Sequence, residues 1–270
     1  MAVSRSGLYD DALVYDVLHA PGTAGEVSGL EAIEKRFVAD AVRKRGRCWL
    51  EPACGTGRYL REAARRGIET IGFDLLPNMV EFARDRAPEA GRGVGSSEYF
   101  VGDMTDFADR VGGRRVSFAF NTINTIRHLS SDAAARAHFG QVAEVLAPGG
   151  VYVVGLSLSA YGRESPSEDV WSGRRGSLGV KQVVQYLPPR TDGNPKSRSE
   201  LVVSHLVVER PGGTDHRDSM YRLRTYSHEE WIRLVERSAL QLVGVVDEDG
   251  GDVVAGDGGY VLFVLCAKGI

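Results

Sequence analysis

Two glycines, Gly55 and Gly57, stand between an apolar run and a helical pattern in "LEPACGTGRYL" (50–60). Glycines at such a turn let a ligand approach the backbone closely. The helix that follows directs its N-terminal N–H groups and partial positive charge to the same point. A dinucleotide fingerprint asks for a third glycine at position 60, where this chain has Leu60. A loop that cradles a nucleoside triphosphate asks for Gly-Lys and then Ser or Thr, and none follows. Both phosphate readings are set aside.

Three carboxylates extend the argument. Glu51 at the end of the apolar run would repel a pyrophosphate and suits a ligand with an amino group. Asp74 follows Gly55 by 19 residues and is placed to accept from both hydroxyls of a ribose. Asp103, in "VGDMTDF", could reach an adenine amine. A ligand with adenine, ribose, an ammonium group and no phosphate is implied, and S-adenosyl-L-methionine has that composition.

Strands and helices in alternation must position these residues. "RCWLEPA" (47–53), "ETIGFDL" (69–75), "SEYFVGD" (97–103), "VSFAFNT" (116–122) and "VYVVGLS" (151–157) read as strands. "GRYLREAARRG" (57–67), "PNMVEFARDRAP" (77–88) and "SDAAARAHFGQVAEVLAPGG" (131–150) read as helices. Gly67 ends the first, Pro77 opens the second, and Pro148-Gly149-Gly150 stop the third. This alternation predicts right-handed crossovers and a doubly wound parallel sheet.

The pattern changes after residue 158. "SAYGRESPSEDVWSGRRGS" (159–177) reads as a loop. The β-rich runs 180–187, 200–210 and 219–227, separated by "PPRTDGNP" and "PGGTD", predict an antiparallel meander. Ser227 and Glu230 form a capping box before the helix "SHEEWIRLVERSAL". The strands 240–246 and 259–267 leave no room for a crossover helix, so the last must pair antiparallel. The expected class is α/β: a Rossmann-like seven-stranded sheet with a reversed last strand, plus a small antiparallel β insertion.

Taken together, "EPACGTGR" (51–58), "GFDLLPNMVEFAR" (72–84), "GDM" (102–104), "FNTINTIRHL" (120–129) and "LAPGGVYVV" (146–154) resemble the class I S-adenosylmethionine-dependent methyltransferases. The resemblance implies that Ala53, Gly55, Thr56 and Gly57 wrap the methionine part, with Glu51 near its ammonium. It implies Asp74 on the ribose, Leu75 and Met79 beside the adenine, and Asp103 and Met104 at the adenine edge. Asn121 and Thr122 would line the sulfonium side. Arg58 either approaches the cofactor carboxylate or is a solvated helix arginine. Residues 1–36, with Tyr9, Tyr15 and a helix from about Leu30, form either a lid over the cofactor, with Tyr15 touching it, or a helical cover for one sheet face.

The acceptor is read from two other stretches. Relatives that modify adenine or glutamine carry Asn or Asp followed by Pro-Pro-Tyr after the fourth strand, and this chain has "NTIN" (121–124). "YDDALVYD", "GDMTDF" and His128-Leu129 resemble small-molecule methyltransferases, including aminosugar N-methyltransferases, in which a histidine at this place sits by the acceptor amine. His128 is the candidate base, the alternative being a histidine that packs on the following helix. Asn124 and Arg127 share its loop as candidate substrate contacts. The insertion departs from the aminosugar group and is more like the small sheet of glycine N-methyltransferase-like enzymes. Its Trp171, Arg174 and Arg175 either meet an acidic substrate or belong to a solvated loop. Nitrogen and oxygen acceptors both remain open. So do a regulatory protein that only binds the cofactor and an enzyme that uses it for another reaction.

The whole chain agrees with a small-molecule enzyme. Among 270 residues, 43% are hydrophobic and 26% charged, and the net charge of −3 gives no footprint for nucleic acid or an anionic membrane. Cys48, Cys54 and Cys266 are odd in number and lie far apart, which argues against a disulfide framework or a cysteine metal site. The opening residues have no signal-peptide core, and no run approaches the roughly 20 apolar residues of a membrane span. A cytoplasmic location is expected, with a small-molecule acceptor, no metal, no nucleic acid and no membrane partner; a homodimer stays open. The expected division is an N-terminal lid or helical segment (1–36), a cofactor-binding domain (37–157 and 228–270) and a β insertion over the acceptor site (158–227).

Overall fold

Cys48–Pro52 (β1) is buried at every position, as a strand covered on both faces must be. Trp49 and Leu50 point to opposite sides and enter different cores. The computed structural model describes residues 7–113, 115–189, 198–256 and 258–269. Around β1 lie β2 (Glu69–Asp74), β3 (Ser97–Val101), β4 (Val116–Asn121) and β5 (Leu146–Ser157). Four further strands, β6 (Ser167–Arg175), β7 (Leu178–Leu187), β8 (Ser199–Arg210) and β9 (Gly213–Arg224), precede β10 (Leu240–Val246) and β11 (Tyr260–Ala267). Among the described residues, seven strands form one sheet in the order β10-β11-β5-β4-β1-β2-β3, and β6–β9 form a separate four-stranded sheet.

Strands β1–β5 pair in parallel, and β11 runs antiparallel to both β5 and β10. The reversed last strand is therefore as expected. It follows from the short connection after β10, which can make a hairpin but not a crossover. Helices α4 (Arg58–Arg65) and α5 (Pro77–Asp85) connect β1 to β2 and β2 to β3. The short α6 (Ala108–Val111) and α7 (Asp132–Val145) flank β4. Phe139 of α7 and Trp231 of α8 (His228–Glu236) pack against Phe263 and Tyr152 on one sheet face. Both halves of the Ser227–Glu230 capping box are present at the start of α8.

The N-terminal segment divides into three helices, α1 (Ala12–His19), α2 (Thr23–Phe37) and α3 (Asp40–Arg45). The helix expected from about Leu30 thus begins at Thr23, after a left-handed Gly22 that reverses the chain. Val27, Leu30 and Ile33 of α2 cover the second sheet face beside Leu60 and Phe118. In contrast, α1 packs Val14, Val17 and Leu18 on Val180, Leu206 and Val208 of the small sheet.

Three boundaries differ from the sequence reading. Helix α7 ends at Val145, and residues up to Gly150 already belong to β5. Residues 167–175, read as loop, are the edge strand β6, held by backbone pairing to β7. Its side chains are almost all exposed, so no apolar alternation reveals it. Strand β9 starts at Gly213, and "PGGTD" shrinks to a tight turn closed by the Arg210–Gly213 pair. Residues 190–195 of the turn "PPRTDGNP" lie outside the described residues. Among the described residues no helix is long and apolar enough to cross a membrane.

Candidate active site

At the end of β1 the backbone enters a left-handed course, with φ of 52° at Ala53, 53° at Gly55 and 70° at Gly57. A Cβ at Gly57 would lie 2.8 Å from the Tyr99 ring, and one at Gly55 would lie 3.1 Å from the Tyr15 ring. Only glycine fits both the torsion and the space. A second strained turn follows β4, where Ile123 and Asn124 adopt φ of 47° and 63°. Both lie at carboxyl ends of adjacent parallel strands, where ligands of such sheets bind.

A cavity of about 800 Å³ opens there. The strand ends form its floor, α1 one wall, and the inner face of the β6–β9 sheet its roof. Of the cofactor residues expected from sequence, Tyr15, Ala53, Gly55, Asp74, Leu75, Met79, Asp103 and Met104 line this space. Asp74 accepts from the N–H groups of Gly55 (2.8 Å) and Leu76 (2.9 Å), which ties the loop to the end of β2. Burial raises its pKa, and those N–H groups oppose the rise. Asp103 accepts from the backbone N–H and hydroxyl of Thr105, both at 2.7 Å, and these bonds hold it ionised below the usual range.

Glu51 is the group without local compensation. It is 7% exposed, and its Oε2 has no hydrogen-bond partner among the described residues. Burial pushes its pKa well above the ordinary carboxylate value, against the pull of Arg58. A buried oxygen of this kind calls for a donor, and a cationic one restores its charge. The glycine cradle, the carboxylate at the end of β2 and this orphan oxygen fit an amino-acid-bearing nucleoside.

Neither Glu51 nor the remaining expected cofactor residues line the cavity itself; Glu51 lies behind it, two residues before the lining Ala53. Gly57 is closed off by Tyr99. The Thr56 hydroxyl turns away and donates to Asp16 of α1 at 2.9 Å. Arg58 is neither solvated nor unpaired: it lies 2.7 Å from Glu26, donates to Thr23 at 2.9 Å and covers the Tyr59 ring. Asn121 is 1% exposed, donates to the Pro52 carbonyl and accepts from the Tyr152 hydroxyl at 2.6 Å. The same hydroxyl lies 2.8 Å from His138 Nε2, and His138 Nδ1 lies 2.8 Å from the Met104 carbonyl oxygen. Asn121 therefore braces the strand ends, and the expectation that its side chain lines the sulfonium side is corrected. Thr122 is buried and lends its carbonyl to Thr125.

On the acceptor side, His128 ends a 3-10 turn (Thr125–His128) and lines the cavity. Its ring stacks at 5.8 Å on Tyr221 of β9 and meets Tyr9 edge-on at 6.2 Å. Tyr9 continues to Tyr15 at 5.8 Å, Tyr15 to His19 at 4.5 Å, and His19 to Trp171 of β6 at 5.2 Å. A chain of rings thus crosses from the small sheet to α1 and back. Asn124 reaches the cavity wall, but its amide clasps Ser157 through two bonds of 3.0 and 2.7 Å. Arg127 is paired with Glu200 at 2.6 Å and donates to the Arg224 carbonyl at 2.8 Å. It anchors the His128 turn to the small sheet. Arg174 is a correction: it pairs with Glu209 at 3.0 Å on the exposed side of the sheet, away from the cavity. Arg175 instead binds Asp16 at 2.6 Å.

Several lining residues escaped the sequence reading, among them His19, Gln182, Tyr186, Glu200 and Tyr221. Gln182, Val184 and Tyr186 alternate along β7, a period-2 signal that becomes useful only once the inner face is known. His19 stands four residues after Tyr15, one helical turn along the same face.

Residues 50–150 match the family model described as a methyltransferase domain. A dTDP-3-amino-3,4,6-trideoxy-α-D-glucopyranose N,N-dimethyltransferase of Streptomyces venezuelae is 33% identical over 148 residues, which are 54% of this chain and 56% of the relative. That match therefore spans little more than half of the relative's length. A dTDP-3-amino-3,6-dideoxy-α-D-glucopyranose N,N-dimethyltransferase of Streptomyces fradiae is 25% identical over 86% of this chain and 84% of its own. Among solved structures, DesVI of Streptomyces venezuelae superposes with a TM-score of 0.70 at 24% identity, covering 99% of this chain and all of that one. The sugar N-methyltransferase KedS8 of a Streptoalloteichus species does so at 0.67 and 21% identity, covering 99% of both chains. These superpositions include the small β sheet, so the insertion is no departure from the aminosugar fold, and that expectation is corrected.

Proposed function

We propose that the chain is a class I S-adenosylmethionine-dependent methyltransferase that methylates an amine on a small, sugar-like natural-product acceptor. The observation that carries this reading is one cavity with two chemistries. Carboxylates and glycines suited to the methyl donor lie at one end, and an imidazole among tyrosines lies at the other.

S-adenosylmethionine, when bound, supplies an electrophilic methyl group. The residues of this chain bind, orient and manage protons around it. Glu51 Oε2 receives the ammonium, and Asp74, already oriented by the N–H groups of Gly55 and Leu76, receives the ribose hydroxyls. Asp103 keeps an ionised carboxylate at the adenine edge. Helix α1 and the small sheet exclude water and hold the acceptor in line. His128 accepts the proton that the acceptor nitrogen must lose, and Tyr9 and Tyr221 fix the plane of its ring.

The test uses labelled S-adenosylmethionine and the dTDP-linked 3-amino-3,6-dideoxyglucose, beside a panel of other aminosugars. Labelled N-methyl product is expected with at least one. Replacing His128 by Ala should lower kcat by about 10²-fold or more with little change in cofactor affinity. No labelled product from any amine, with calorimetry still showing cofactor binding, would refute the acceptor reading. Unchanged turnover in H128A would remove the proton role.

A further inference from the structure

His19, the last residue of α1, places its ring in the cavity wall between Tyr15 and Trp171. Its Nδ1 is sealed from solvent and has no hydrogen-bond partner among the described residues. Nitrogen atoms buried in this way are rare and ask for an explanation. Burial, and then the nearby charge of Arg58, push the pKa of the ring down to about 3. The imidazole is therefore neutral at working pH, a weak base for an amine but a competent hydrogen-bond donor.

Its surroundings point to one end of the cavity. Tyr15, its ring neighbour, lies against Gly55 of the glycine loop. The charge of Arg58 acts on His19, Tyr15 and Glu51 alike. A bound amino-acid group brings two charges there. The orphan oxygen of Glu51 answers the positive one. Arg58 is already occupied by Glu26 and Thr23, which leaves the negative charge in need of another donor.

We propose that His19 Nδ1–H donates a hydrogen bond to the carboxylate at the amino-acid end of S-adenosylmethionine. Two orphan polar atoms, His19 Nδ1 of the cavity wall and Glu51 Oε2 at the end of β1, two residues before the lining Ala53, thus form one zwitterion-reading pair, with the glycine loop beside them. This rests on the placement of the ammonium at Glu51 given above. Tyr15 and Trp171 hold the ring on its two sides, so the donor is oriented before the ligand arrives.

Calorimetry on the full chain with two probes tests it. S-adenosylhomocysteine carries the amino acid, and 5′-methylthioadenosine lacks it. His19→Phe should weaken S-adenosylhomocysteine binding by about tenfold or more, the cost of a hydrogen bond to a charged group, and leave 5′-methylthioadenosine within about twofold. His19→Gln, which restores a donor, should recover much of the loss. Unchanged S-adenosylhomocysteine affinity in H19F, or equal losses for both probes, would overturn the proposal. So would a loss that appears only as a raised KM for the acceptor. The Glu51 placement fails separately, if Glu51→Gln leaves S-adenosylhomocysteine binding intact.

Discussion

Glu51 shows what a buried carboxylate oxygen without a hydrogen-bond partner costs the fold. A carboxyl whose pKa is raised in the folded state stabilises the fold below its unfolded pKa, and loses that contribution as pH rises through the folded value. Burial raises Glu51 in this way. Glu51→Gln should therefore melt higher than the native chain at neutral pH, with the gap closing as the pH falls into the carboxylate range. Thermal melts of both across that range check it; a gap that widens on acidification would reverse the sign. The same substitution should weaken S-adenosylhomocysteine, so stability and binding trade against each other at one atom. Glu51 and Asp74 were legible because residue type at a strand end is a local property. The orphan state of Glu51 was not, because it depends on where Arg58 spends its charge. Arg58 sits on a helix that sequence alone leaves as easily solvated as buried.

At the scale of elements, the strongest signals were those with local chemistry. The capping box of α8 is complete, with Ser227 accepting from Glu230 N–H at 3.2 Å and Glu230 accepting from Ser227 N–H at 3.0 Å. Ser227→Ala should cost about 1 kcal/mol, read as a lower denaturant midpoint. A loss below about 0.3 kcal/mol would mean that packing of Trp231 alone holds the helix. Strand β6 was the opposite case. Its side chains are nearly all exposed, and its identity comes from backbone pairing with β7, which no residue pattern encodes. Helix α1 likewise owes its position to Val17, whose carbonyl would sit 2.0 Å from a Cβ at Gly173. Only a glycine in β6 allows that approach, and the two segments are more than 150 residues apart in the chain.

For the whole molecule, Asp16 is the clasp. It is 1% exposed and accepts from Thr56 of the glycine loop, Arg61 of α4 and Arg175 of β6. Burial alone would raise its pKa, and Arg61, with the bonds from Arg175, Arg61 and Thr56, brings it below the ordinary value. One carboxylate thereby joins the N-terminal helix, the glycine loop and the small sheet. Asp16→Ala strands a buried Arg61 and should cost about 3 kcal/mol or more in unfolding experiments. Arg175→Ala removes a half-exposed partner and should cost at most about 1 kcal/mol. Equal losses would show that the outer arginine carries as much of the clasp as the inner one.

The sequence by itself determined the alternating strands and helices, the reversed last strand and the kind of cofactor. Each of these depends on period, turn chemistry or residue type over a few neighbouring positions. Tertiary structure alone decided which polar atoms remain unspent. Thr56, Asn121, Asn124 and Arg174 had suitable types at suitable places, yet each is satisfied by a distant protein partner. His19 and Glu51 are not. A polar group is available to a ligand only when the fold supplies no partner, and partners across α1, the parallel sheet and the β6–β9 roof meet only once the chain has folded.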